Sequence, residues 1–151
     1  MTFNSFDELK KYILSRSEIA IKLAQEKVYQ VINKFVKQYY AEFSPEVYER
    51  TYQLFRSLVK SDIKQTANGW VAEVYFDLDA LDYHMKLVNG IPRPNEGASE
   101  KKTLESAMIG EKPHGGYASG TSIWTESLSI LNQERYNMLK KVLNDAGIPV
   151  K

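Results

Sequence analysis

Apolar residues in the first part of the chain recur at three- and four-residue intervals: Ala20, Ala24, Val28, Val31, Phe35 and Tyr39. Lys22, Gln25, Glu26, Gln30, Lys34 and Lys37 stand mostly between them. That period puts the apolar set on one side of an α-helix and the polar set on the other. It predicts a helical arm over residues 1–43. Two start signals fall inside it, "SFDE" from Ser5 to Glu8 and "SRSE" from Ser15 to Glu18, each with serine three residues ahead of glutamate as in a capping box. They predict either a short helix at about 5–14 and a long one at about 17–41, or one helix with a polar stretch in its middle. Pro45 disfavours helical backbone at Ser44 and closes the segment.

From Phe55 the period shortens to two. "FRSLVKSDIKQTANGWVAEVYFDL" holds two β-prone runs around Asn68-Gly69, which predicts a hairpin over 55–77 with strands near 55–66 and 70–77. Trp70, Ala72, Val74 and Phe76 alternate with Val71, Glu73, Tyr75 and Asp77, the pattern of an antiparallel sheet buried on one face. Between 86 and 122 neither period holds. "NGIPRPNEGASEKK" and "GEKPHGGYASGTS" are rich in Gly and Pro and flank a short helical candidate, "TLESAMI", so this stretch reads as a long binding loop or a flexible segment. A last helix follows at about 123–146 with Trp124, Leu128, Leu131, Leu139, Val142 and Leu143. Trp124 would anchor its start in the core. Gly147 suits a left-handed position after its end, Ile148 can pack back on Leu143, and Pro149 prevents continuation. The fold class is therefore α+β: N-terminal helix or helices, a small, mostly antiparallel sheet and a long C-terminal helix, in one domain of 151 residues.

Composition narrows the function. Twenty basic against nineteen acidic residues leave a formal charge of +1, too little for a protein whose whole surface attracts nucleic acid, although a local basic face is compatible with it. The absence of cysteine removes disulfides, thiolate metal sites and cysteine nucleophiles. "MTFNSFDELKKYIL" carries charges where a signal peptide needs an apolar core, and no apolar run reaches the about 18 residues of a membrane span, so the expectation is synthesis in the cytoplasm with no membrane partner.

Three chemical readings compete. "DLDALDYH", Asp77 to His84, gathers carboxylates and a histidine, but an EF-hand begun at Asp77 would need Gly at position 82 and Glu at position 88, where Asp82 and Val88 stand. The plainer reading is a strand end with Asp77 or Asp79 capping a helical turn. A small metal-dependent enzyme would have to bring His84 or His114 together with Asp77, Asp79 or Asp82, and no helical spacing supports that. "GYASG" lacks the central serine of a nucleophile elbow, and no phosphate-binding glycine motif occurs, so the residues call for no cofactor, metal or catalytic group. A DNA-contacting accessory role would use the lysine-bearing faces of the first helix. The third reading is a protein interface, since arginine and aromatic residues, the types enriched at interface centres, crowd one stretch: Tyr39, Tyr40, Phe43, Tyr48, Arg50, Tyr52 and Phe55.

That stretch, "YYAEFSPEVYERTYQLFRSL", resembles a pattern in head–tail joining proteins of long-tailed bacteriophages and prophages of Gram-positive bacteria, the small neck or tail-completion proteins. The carrying residues are Tyr48, Arg50, Thr51, Leu54 and Ser57 entering a strand, then Val74 and Asp77, then His114, Gly115, Gly116 and Trp124, and the closing "LKKVLNDAGIPVK". The resemblance runs from about 39 to 151. It implies a virion component of the neck that self-associates into a ring, meets portal-connector and tail-terminator or tail-tube proteins, and touches genomic DNA at most passively. It also implies Tyr39, Tyr40, Tyr48, Arg50, Thr51, Tyr52, His114, Gly115, Gly116 and Trp124 as the contact residues.

Overall fold

The computed structural model describes residues 2–42, 52–67, 69–81, 85–89, 91–94, 100–109 and 122–150. Its spine is α1 (Phe6–Ala41), a helix of 36 residues. The Ser5 hydroxyl accepts from the Glu8 N–H at 3.2 Å, and the Glu8 carboxylate accepts from the Asn4 N–H at 2.8 Å, one residue before the donor a capping box uses. Of the two arrangements the sequence allows, the chain takes the single helix. The hydroxyls of Ser15 and Ser17 donate back to the carbonyls of Tyr12 and Ile13 at 2.9 and 2.7 Å, so the second start signal is absorbed into the turn before it.

After Tyr52 come α2 (Gln53–Ser57) and a β-ribbon built from β1 (Leu58–Lys60), β2 (Lys64–Thr66), β3 (Gly69–Val71) and β4 (Val74–Phe76). The strand expected from Phe55 therefore begins three residues later. Leu54, Ser57 and Leu58 are buried at helical spacing, and the Ser57 hydroxyl bonds the Leu54 carbonyl at 2.9 Å, which makes this stretch a turn of helix. The ribbon is antiparallel, β1 with β4 and β2 with β3. Its turn also shifts by one position. Thr66 pairs with Gly69, leaving Ala67 and Asn68 between them, so Gly69 follows the turn and takes φ 140° rather than serving as its second residue. The alternation read over Trp70–Phe76 does appear: Val71, Glu73 and Tyr75 are exposed and the residues between them are half-buried.

The register changes partway along. Lys60 pairs with Val74 and Lys64 with Val71, so Ser61, Asp62 and Ile63 stand opposite only Ala72 and Glu73. One extra residue on the first arm interrupts the ladder as a bulge does. Gln25 of α1 meets the interruption: its amide donates to the carbonyls of Ser61 at 2.9 Å and Glu73 at 2.8 Å, and it is 8% exposed. The pattern placed Gln25 on the outward face. It lies inward because the Ser61 carbonyl needs a donor where the ladder is interrupted, the Glu73 carbonyl already accepting the Ser61 N–H at 2.9 Å. Trp70 fastens the far part of the ribbon by donating to the Leu14 carbonyl at 3.1 Å.

A 3₁₀ turn (Leu78–Ala80) follows, begun by the Asp77 carboxylate accepting from the Asp79 N–H at 3.1 Å. Within the stretch read as loop the structure has a second hairpin, β5 (Met85–Val88) with β6 (Ile91–Pro94), and α3 (Glu100–Ile109), which extends the short helical candidate toward its N-terminus. Asn89 of the hairpin turn has φ 52°, the left-handed backbone that an Asn-Gly turn uses.

α4 (Ile123–Asp145) lies antiparallel to α1: Ile123 packs in the same cluster as Ile32, Phe35 and Val36, and Val142 and Ala146 pack with Ala20. Its end follows the sequence. Gly147 has φ 87°, its N–H bonds the Asn144 carbonyl at 2.9 Å, and the Ile148 N–H bonds the Leu143 carbonyl at 2.8 Å, a Schellman motif. The larger core cluster joins the second half of α1, α2, β1, Leu81, Ala107 of α3 and Ile123, and the smaller one holds Ala20, Val142 and Ala146.

Candidate interaction surfaces

The structure brings together three of the aromatic residues singled out at the end of α1. Tyr39 is buried and meets Tyr40 edge-on at 5.8 Å between ring centres, and Tyr40 lies against Tyr52 at 5.1 Å. A ladder of rings therefore runs from the core to an exposed tip, Tyr52, which is 48% accessible. Tyr39 supports this surface from below. Tyr52 has φ 54° and ψ 23°, a left-handed backbone that costs a non-glycine residue roughly 1 kcal/mol, and the contact with Tyr40 offsets part of it. Tyr48, Arg50, Thr51, His114, Gly115 and Gly116 lie outside the described residues, as do Asp82 and His84.

Trp124 sits differently from its expected place. Ser122 caps α4 by accepting from the Thr125 N–H at 3.3 Å, and this phase turns Ile123 fully inward and leaves Trp124 half exposed. Ile123 is the anchor. Trp124, Leu128 and Leu139 form an exposed apolar stripe along α4 with Leu131 half-buried among them, and Tyr136 stands out beside it. The i, i+4, i+7, i+15 spacing of the four is legible in the sequence, but the spacing alone does not say whether that face meets the core or solvent. The Ser122 hydroxyl also donates to the Met108 carbonyl at 2.7 Å, which fixes the last turn of α3, bearing exposed Ile109, to the start of α4. Among the described residues no helix is long and apolar enough to cross a membrane.

Asp77 and Glu26 are held in structural ways. Asp77 caps its own turn. Among the described residues no group of three or more His, Asp or Glu is placed to hold a metal ion. Glu26 pairs with Lys60 at 2.7 Å, and the hydrogen bond from Lys60, followed by that from Gln30, holds its carboxyl below the ordinary range. Lys60 also lies over the Tyr29 ring at 5.1 Å, so the pair links α1 to β1.

The arrangement offers two exposed apolar or aromatic patches on a frame of helices. Comparison with curated proteins and with solved structures gives no match. A family model does match, over residues 5–145, which takes in every described element from α1 to α4. The chain belongs to the YomN family and is a phage-associated protein.

Proposed function

We propose that this protein is a structural component of the phage neck, acting in a ring that joins the portal complex to the tail and carrying out no catalysis. The observation that carries the reading is the exposed stripe Trp124–Leu128–Leu139 on a phage-associated chain. Large apolar side chains aligned on one face are characteristic of surfaces covered in an assembly. The aromatic tip at Tyr52 supplies a second patch, and two different patches suit the heterologous contacts from which rings close. The resemblance in the Tyr48–Ser57 string and the "HGG" stretch points to the neck among the sites in a virion.

The test is a phage carrying Trp124→Ala with Leu128→Ala. Trp124 is 50% and Leu128 37% exposed, so the purified subunit should stay folded, losing about 1–3 kcal/mol of stability for the apolar area the two side chains still bury. Filled heads and finished tails should accumulate unjoined, because loss of an interface anchor costs about 2 kcal/mol or more at each contact of a ring. Normal particles from the variant, or normal particles lacking the protein, would refute the neck reading.

A further inference from the structure

From Lys27 to its end α1 carries charge of one sign only. Between Lys27 and Ala41 the exposed residues are Lys27, Gln30, Lys34, Lys37, Gln38 and Ala41, and the sequence has no Asp or Glu in that interval. On a chain whose formal charge is +1, this is a segregated positive strip. The flanking carboxylates are engaged by neighbours: Glu26 by Lys60 at 2.7 Å and the Gln30 amide at 3.1 Å, and Glu42, at the far end, by the Gln38 amide at 2.8 Å. Lys34 and Lys37 stand over the rings of Phe35 and Phe55 at 5.2 and 6.0 Å. Those contacts hold the stems against apolar surface without neutralising the ammonium groups.

We propose that this strip binds the phosphate backbone of double-stranded nucleic acid, without sequence preference. Three lysines spread over about 15 Å of straight helix match a line of phosphates. A protein partner is a poorer fit, because lysine is depleted at interface cores and the strip has no aromatic or arginine anchor. A membrane is a poorer fit because the strip exposes no large apolar side chain to enter the acyl region. The proposal is independent of the ring reading.

The measurement is fluorescence anisotropy of a labelled duplex of mixed sequence titrated with the full-length protein at several salt concentrations. Three phosphate contacts predict a slope of about −2.7 in log affinity against log salt, or a loss of about 40-fold for a fourfold rise in salt. Lys27→Gln, Lys34→Gln and Lys37→Gln combined should lower affinity at least tenfold with an unchanged circular dichroism melt, glutamine and lysine being near equal as helix formers. Lys10→Gln with Lys11→Gln, on the part of α1 that also carries Asp7 and Glu8, should leave binding unchanged. Absence of duplex binding at low salt, a triple variant that binds as the parent does, or equal binding to phosphatidylserine vesicles or to polyglutamate would each overturn the proposal.

Discussion

The two ends of α1 are held by different means. Toward its N-terminus α1 meets the end of α4 through small side chains, Ala20 and Ala146 with Val142, and through a polar tie, the Tyr12 hydroxyl donating to the Gly147 carbonyl at 2.7 Å. Toward its C-terminus it is wrapped by α2, the ribbon, α3 and α4, around large side chains such as Ile32, Phe35 and Ile123. Small residues let two helices approach closely and leave little apolar area to lose. Large ones bury more and leave a larger void when cut back. The first end should resist enlargement and the second should resist truncation.

The sharpest way to break that contrast is Ile123→Ala. Ile123 is fully buried, so truncation should cost about 2–5 kcal/mol by chemical denaturation. A loss below about 1 kcal/mol would mean that the larger cluster collapses to fill the gap. At the other end Ala146, 2% exposed, should tolerate leucine poorly: Ala146→Leu should cost about 1–3 kcal/mol by forcing α1 and α4 apart. Unchanged stability there would show that the helix ends part readily.

Gln25 sits between the two ends and tests the ribbon's attachment. Gln25→Leu keeps the volume but strips the donor from the Ser61 and Glu73 carbonyls; Glu73 keeps the Ser61 N–H at 2.9 Å, so Ser61 is the carbonyl left wanting. The expected cost is about 1–3 kcal/mol, with faster hydrogen exchange concentrated around Ser61–Glu73. Exchange unchanged in the ribbon would show that Gln25 does not hold it.

The smallest effect concerns Glu26. Its folded carboxyl lies below the ordinary range, so its pairing stabilises the protein above the unfolded carboxylate pKa and is lost as pH falls through the folded one. Because both partners are about two-fifths exposed, at 42% and 41%, solvent screens the pair and its worth is at most about 0.5 kcal/mol. Lys60→Gln should flatten the decline in melting temperature below about pH 4.5 slightly, relative to the parent. Identical acid limbs would mean that the pair contributes nothing.

Local backbone signals were legible without any structure. Ser5 and Glu8 start α1, Gly147 and Ile148 finish α4, and the alternation over Trp70–Phe76 marks a half-buried strand; each depends on atoms a few residues apart. Where the same local signal admitted two outcomes, packing chose. The serines at 15 and 17 could have opened a second helix, and instead bond back into the first. Asn68-Gly69 and Asn89-Gly90 carry one dipeptide, but the pairing of Thr66 with Gly69 moves the first turn back by a residue while Asn89 lies within the second.

Tertiary structure alone decided which faces are inside. Leu54, Ser57 and Leu58 belong to a helix end because α1 and the ribbon enclose them, and α4 presents Ile123 inward and Trp124 outward because the cap at Ser122 fixes its phase. Gln25 is buried because a register change far along the chain leaves the Ser61 carbonyl, 36 residues away, to be satisfied, a requirement that no pattern around position 25 expresses. Periodicity tells which residues share a face. Only the neighbours supplied by the rest of the fold determine whether that face meets the core, solvent or a partner.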